Sequence, residues 1–521
     1  MVAVKCPSTV TEIGDEAFSD CNSLLDVQLG SATEIGMSAF KNCTRLPSIT
    51  IPNSVSEIGN NAFQNCTSLA DATIGNSVTE IGGYAFENCL SLSDLTIGSS
   101  VTSIGNNAFQ NCKSLAKVTI PNSVISINDN AFNGCAKLAD LTIGSSVTKI
   151  GQYAFENCTS LTEVTIPNSV ISIGYAAFNG CAKLTDLTIG SSVTEIGSYA
   201  FSNTNISDLD LPNSVTEIGE NAFSSTNISE LNLPNSITEI GRFAFSDCTN
   251  LVKVTLPNSI TSISAFKGCT SLKEITFPNS VTSIGGFKGC TSLKEIIIPN
   301  SVTNISEEAF SGCTGLTTLI INDAAVAIGN RAFESCTSLT NVSFGNSVTE
   351  INGSFINCTS LKEIVIPNSV ITLGSSTFEG CTNLSKVTLP KYITVIGDYA
   401  FDKCTSLTEI TIPEFVTEIG YAAFRNCPLL TSITIPSLVT SIGDYAFEYN
   451  ITTVYSLNPT SPSIQSTTFH YFVYDKATLY VPYGSLTAYK SAYGWSNFVN
   501  IKEFDPTGIS GVEATAAWTL A

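Results

Sequence analysis

Two residue types in this chain recur at spacings that bear on chemistry, cysteine and the acidic pair. The 521-residue sequence holds 18 cysteines and one histidine. Seventeen of the cysteines stand three residues after a phenylalanine, from Cys21 and Cys43 through Cys404 and Cys427. Only Cys6 lies outside that column, and Thr204, Thr226 and Asn450 fill it where cysteine is missing. A disulfide needs Cβ atoms about 3.5–4.5 Å apart on converging vectors. Zinc needs four ligands that converge on one point. Thiols repeated in one register instead lie parallel, about 4.8 Å apart. The column therefore predicts small, buried, reduced thiols under a turn. His470, the single histidine, has no companions for a metal cluster or a nucleophile triad. No phosphate loop, CxxC pair or EF-hand spacing of carboxylates occurs either. The sequence predicts no enzyme, no catalytic residue, no metal site and no cofactor.

The acidic residues form a column of their own: Asp71, Asp94, Asp140, Glu163, Asp186, Glu274, Glu295, Glu363 and Glu409. Asp208 and Glu230 are its equivalents in shortened copies of the pattern. Two residues further on runs a threonine column that includes Thr96, Thr142, Thr165 and Thr188. Strand alternation puts both columns on the same outward face. Like charges stacked this way repel and cost stability, although Lys117, Lys253 and Lys386 interrupt the row. The face is a candidate recognition surface for a basic protein partner. A merely solvated strand face and bridging by divalent cations are the competing readings.

What positions these columns is a repeat of about 23 residues, seen cleanly over 154–176. A phenylalanine marks each copy, from Phe18 and Phe40 through Phe155 and Phe178 to Phe424 and Phe447, twenty in all and 21 to 23 residues apart. A fixed period of this length is the signature of a solenoid. Within one copy, residues 163–166 alternate polar and apolar with β-branched side chains, which reads as a short strand. Pro167, Asn168 and Ser169 break it. Val170 and Ile173 mark a second, shorter extended piece, and Gly174 a sharp turn. Residues 153–158 are too short for a long helix and read as one helical or 3-10 turn. No copy buries its own apolar face, so the copies must stack. Copies around Asn203 and Ser225 lose one residue, and those at Phe266 and Phe287 follow their predecessors by only 21.

The recurring pattern Leu-x-x-[Ile/Val]-Thr-[Ile/Leu]-Pro-Asn-Ser-Val-Thr-x-Ile-Gly-x-x-Ala-Phe-x-x-Cys resembles the BspA-like leucine-rich repeat surface protein family. The resemblance covers about residues 2–447. It implies a leucine-rich repeat solenoid, β-rich, with parallel strands on a concave face and short helical or 3-10 turns on the convex side. It also implies a cell-surface or extracellular protein that adheres to host matrix proteins or to other cells through protein–protein binding.

Charged residues make up only 13% of the chain, against about 25% in ordinary domains. The net charge of −21 offers no basic footprint for nucleic acid and disfavours an anionic membrane surface. No apolar run reaches the roughly 20 residues of a membrane span. The first six residues hold no apolar core of a signal peptide, and the chain reads as starting mid-repeat. Residues 1–447 are expected to form the solenoid and 448–505 a small aromatic-rich C-terminal cap, with 506–521 a truncated or flexible tail containing Trp518. Within 448–505 the sequence suggests a loop over 455–462, a strand over 477–482 and a helix over 485–492 with Ser485 as N-cap. Trp495, Phe498, Ile501 and Phe504 then form an aromatic and apolar cluster. The reading is a non-enzymatic adhesion or protein-binding solenoid, and a structural spacer or self-assembling layer without a specific ligand is the alternative. A small-molecule ligand is not expected. An ice-binding surface would need paired threonines on each strand, and here there is one.

Overall fold

Each copy of the repeat closes into one turn of a parallel β-solenoid. The computed structural model describes residues 2–323, 326–447 and 450–506, so Trp518 and all but the first residue of the expected tail lie outside the described residues. Take the copy around Phe155. Glu163–Thr165 is the longer strand, and it pairs in parallel with Asp186–Thr188, Glu163 opposite Asp186 and Thr165 opposite Thr188. Leu161, Val164 and Ile166 point inward and are buried. A tight turn follows, closed by the Val170 N–H on the Pro167 carbonyl at 3.1 Å. Ser169 Oγ donates back to the Val147 carbonyl of the preceding turn at 2.6 Å. Ser172–Ile173 is the shorter strand, paired with Lys149–Ile150 on one side and Glu195–Ile196 on the other. At Gly174 a Cβ would sit 2.6 Å from the Gly151 carbonyl carbon, so only glycine lets the turns approach this closely.

The expected helical turn over 153–158 is built from two interleaved sets of bonds. Ala154, Glu156 and Cys158 donate to carbonyls three residues back, in 3-10 fashion. Tyr153, Phe155 and Asn157 donate to Tyr175, Ala177 and Asn179 of the following turn. Tyr153 and Asn157 take positive φ, 55° and 59°. The alternation lets one short segment satisfy its own backbone and its neighbour's, and it stops any helix from propagating. Asparagine suits the second of these left-handed positions. Its side chains form a ladder: Asn65 donates to Asn42 at 2.9 Å, Asn88 to Asn65 at 3.0 Å and Asn111 to Asn88 at 3.0 Å. Gly134 ends that run, at φ +74°, where a Cβ would lie 2.7 Å from Asn111 Oδ1.

The chain divides into two units, Met1–Ser280 and Val281–Ala521. In the first, the two-residue strands form an unbroken parallel sheet in chain order from Glu12–Ile13 to Glu239–Ile240. The longer strands pair only in short sets, such as Ser48–Thr50 with Asp71–Thr73 and Asp94–Thr96, or Lys117–Thr119 with Asp140–Thr142. Residues 208–211, in a shortened copy, form no strand at all. In the second unit the short strands again run in order, from Ser283–Ile284 to Ser441–Ile442. Its longer strands extend to four residues at Glu295–Ile298, Thr318–Ile321 and Asn341–Phe344.

The phenylalanines are the spine of both units. From Phe18 to Phe266 their rings stack with centroids 5.1–5.7 Å apart and planes within 13°. From Phe287 to Phe469 the separations are 5.2–5.8 Å and the planes lie within 20°. The stack therefore runs one turn past Phe447, the last ring the sequence period marks. Part of the expected loop over 455–462 belongs to that extra turn: Thr453–Ser456 is a strand paired with Ser432–Ile435. Its alternating Thr453, Val454, Tyr455 and Ser456 keep the period-two pattern although the phenylalanine motif has drifted. Two further strands, Thr478–Pro482 and Asn500–Phe504, extend the same parallel sheet. The helix expected near Ser485 is Leu486–Ser491, but Ser485 makes no side-chain cap bond. Glu503 Oε1 accepts instead from the Gly484 and Leu486 N–H groups.

Candidate functional site

The thirteen residues singled out for the binding face are all exposed: Asp71, Asp94, Asp140, Glu163, Asp186, Asp208, Glu230, Glu274 and Glu295, with Thr96, Thr142, Thr165 and Thr188. The register brings some of them together and separates others. Asp71 stands opposite Asp94, and Glu163 opposite Asp186, as like-charged neighbours on adjacent strands. Thr165 likewise stands opposite Thr188. Asp140 is not an open carboxylate, because Lys117 Nζ reaches it at 2.7 Å. That pair is well exposed at both ends, so it contributes at most about 1 kcal/mol. Glu230 and Glu274 flank Lys253 in the register, and Glu295 stands opposite Thr318. Asp208 lies where no strand forms. The acidic row is thus a series of short clusters.

A shallow groove of about 330 Å³ opens on this face. Lys253 and Thr255 line one side of it and Glu274 and Thr276 the other. The cause is the 21-residue copy there: Lys253 and Glu274 still bridge, but residues 275–277 do not continue the pairing. A second groove, of about 390 Å³, lies in the other unit beside Ile320, Asn322, Asp323, Ser343 and Phe344.

Sequence reasoning missed a second acidic column, on the short strand. Glu12, Glu34, Glu57 and Glu80 stack in register, and so do Glu195, Glu217 and Glu239. Burial raises the pKa of Glu217, and the charges of Glu239 and Glu195 raise it further. The signal was present in the recurring Thr-Glu-Ile-Gly, whose glutamate sits next to the buried isoleucine. A second threonine column precedes those glutamates, and its hydroxyls are engaged: Thr33 donates to the Thr11 carbonyl at 2.8 Å and Thr79 to the Ser56 carbonyl at 3.2 Å. Among the described residues, the hydroxyls of Thr96, Thr142, Thr165 and Thr188 make no such bond.

The thiols of the cysteine column are buried from Cys43 onward, and Cys21 is half-buried. Their S–H groups point at backbone: Cys158 Sγ donates to the Phe132 carbonyl at 3.4 Å and Cys181 Sγ to the Phe155 carbonyl at 3.2 Å. Burial pushes the Cys181 and Cys381 thiols up to about 12. His470 caps the helix Tyr471–Lys476, accepting from the Phe472 N–H. Trp495 is buried, and its indole donates to the Pro462 carbonyl at 2.8 Å.

The sequence matches the model of the BspA type leucine rich repeat region in six copies, which together span residues 1–475. The chain belongs to that BspA-type leucine-rich repeat family. Among solved structures, three leucine-rich repeat proteins are similar to this chain. A leucine-rich repeat protein from Bacteroides ovatus is 25% identical, with 88% of this chain and 92% of that one covered and a TM-score of 0.41. One from Eubacterium ventriosum is 26% identical, covering 56% of this chain and 83% of that one at a TM-score of 0.39. A leucine rich cell surface protein from Faecalibacterium prausnitzii is 27% identical, covering 75% and 83% at a TM-score of 0.30. A search of curated proteins finds no match. BspA-type membership and the parallel solenoid support a protein-interaction role, since stacked repeats present extended binding surfaces. Among the described residues, no helix is long and apolar enough to cross a membrane.

Proposed function

We propose that this BspA-type protein is a non-enzymatic adhesin that binds a basic protein partner, on host matrix or on other cells, through the face of its longer strands. The observation that carries the reading is the pairing of like charges, Asp71 with Asp94 and Glu163 with Asp186, on exposed strands that gain nothing structural from it. An acidic field of this kind raises the on-rate of a cationic partner and fades with salt. The unengaged threonine hydroxyls beside the acids, and the groove at Lys253 and Glu274, supply polar contacts for a side chain once it arrives. A location at the cell surface or outside the cell follows from the family resemblance. Residues 448–505 are read as the cap of the last turn: Trp495 and Phe498 pack on the last stacked ring, Phe469, and Tyr489 packs on Trp495, as a buried cluster.

The test is surface-immobilised protein challenged with purified matrix proteins and with whole cells, at low and physiological salt. Saturable binding to a cationic partner that weakens as salt rises supports the adhesin. Absence of binding to every matrix protein and cell type, together with ordered self-association of the chain, would establish the spacer instead.

A further inference from the structure

A set of tyrosines, two exposed and four half-buried, stands apart from both acidic columns. In the first unit Tyr153, Tyr175 and Tyr199 come from consecutive turns, with ring centroids 5.2 Å and 5.5 Å apart. In the second, Tyr399, Tyr421 and Tyr445 repeat the arrangement at 5.1 Å and 5.6 Å. The sequences repeat as well: Gly-x-Tyr-Ala-Phe, then Gly-Tyr-Ala-Ala-Phe, then Gly-x-Tyr-Ala-Phe, in each unit. None of these rings enters the core, and each is half-buried or exposed.

The flanking rings of each triad stand at the left-handed position of the repeat. Tyr153, Tyr199, Tyr399 and Tyr445 hold φ between 55° and 58°, in the left-handed region. Asparagine fills the same place at Asn61, Asn107, Asn130 and Asn221, where its short polar side chain tolerates that conformation. The repeat itself sets this backbone, since Glu16, Ser38, Ala176, Phe243 and Arg331 hold it in other turns, so the fold accounts for the left-handed residue but not for the choice of tyrosine.

We infer that each tyrosine triad is a binding platform for an extended neutral glycan with equatorially linked hexose or pentose rings. Aromatic faces take the C–H faces of sugar rings, and one tyrosine per turn sets a spacing comparable to the rise of such a chain per sugar. Neighbouring ring planes lie at 65° and 54° to each other in the first triad and at 61° and 76° in the second. Rings tilted against one another in this way do not form the coplanar strip that a flat crystalline surface would need. Hydroxyl-binding groups stand alongside. Asp398 Oδ1 is held by the Tyr421 N–H at 2.7 Å, and its other oxygen accepts no bond among the described residues. Asp444 is arranged similarly, with Thr467 on one oxygen. One face of Tyr399 carries the Arg425 guanidinium at 5.2 Å, which closes that face to cation and sugar alike.

The experiment is affinity electrophoresis of the full chain through gels containing soluble neutral arabinoxylan or hydroxyethylcellulose. The parent protein is expected to be retarded. Tyr153→Asn, Tyr175→Gln and Tyr199→Asn together should reduce the retardation, and adding Tyr399→Asn, Tyr421→Gln and Tyr445→Asn should abolish it. Asparagine tolerates the left-handed position, so these variants should keep or raise their melting temperature. A readout free of any variant is the near-UV circular dichroism of the parent's tyrosines, which should change on adding xylohexaose. Two results would overturn the inference: a parent that is not retarded and shows no tyrosine signal, or a six-site variant retarded as strongly as the parent. Triad-dependent binding of an oligo-arginine peptide without any polysaccharide binding would overturn it too, in favour of a cation site. Glu163→Lys with Asp186→Lys should leave retardation intact, which separates this surface from the acidic strand face.

Discussion

Each column of the repeat is a single residue seen about twenty times, so its chemistry can be read with unusual redundancy. The cysteine column was legible from register alone, since parallel thiols in one ladder do not converge. What the sequence did not reveal was where each S–H points: the bond to the phenylalanine carbonyl of the preceding turn depends on ladder geometry. Because burial raises these thiols well above the ordinary cysteine range, few thiolates form in the folded protein. Iodoacetamide at pH 8 should modify Cys21, at the half-buried start of the column, well before the others, with all 18 reacting after denaturation. Modification of most thiols in the folded state at the rate seen when unfolded would contradict the packing. The glutamate stack gives a second residue-scale expectation. Glu217 has its folded pKa raised by burial and by its two neighbours, so the folded state binds a proton more readily than the unfolded one. Stability from this site is therefore greatest below the raised pKa and is lost as pH climbs through the carboxylate range. Glu217→Gln should raise the melting temperature at pH 7 and have little effect at pH 4. An equal shift at both pH values would mean the three charges do not interact.

At the scale of the element, the unit is the turn. Its longer strand, its proline turn and its short Glu–Ile strand were all legible, because period-two alternation and the Pro-Asn-Ser break are local signals. Two features were not. The segment around Phe155 places left-handed residues at Tyr153 and Asn157, and propensity alone cannot see that each second N–H is claimed by the next turn. The turn ending at Phe469 escaped because its motif has drifted: Thr468 and Phe469 keep the ring and the small residue before it, but no cysteine follows three residues later. The shared geometry makes each turn dependent on its neighbours and indifferent to distant ones. Phe155→Ala should cost about 3–5 kcal/mol and should loosen only the adjoining turns. Hydrogen exchange is expected to rise around residues 130–180 and to stay unchanged near residue 400; a uniform rise across the chain would show that the stack melts as one body.

For the whole molecule, the sequence made the architecture plain and its partner obscure. Twenty near-identical copies specify a solenoid, whereas recognition depends on the few outward positions where copies differ. The acidic row is the instructive case. The sequence showed Lys117, Lys253 and Lys386 interrupting the column; what it did not show is that Lys117 pairs with Asp140, that Lys253 lies between Glu230 and Glu274 in the register, and that Asp208 falls outside any strand. The cap follows the same logic, since covering the last turn is a demand of stacking and not of the local motif. Removing residues 450–521 should expose the face of Phe447 that Phe469 covers and drive concentration-dependent association in sedimentation; a truncated chain that stays monomeric with an unchanged melting temperature would show that the last turn needs no cover. The central claim, that the outward strand face steers a cationic partner, rests on the two like-charged pairs. Its most direct test is the association rate of a cationic matrix protein with the parent and with the variant carrying Asp71→Lys, Asp94→Lys, Glu163→Lys and Asp186→Lys, measured by interferometry across ionic strength. The account expects the parent's rate to fall steeply with salt and the variant's to be slow and nearly flat, with both proteins equally stable. Identical rates and identical salt dependence for the two would contradict it.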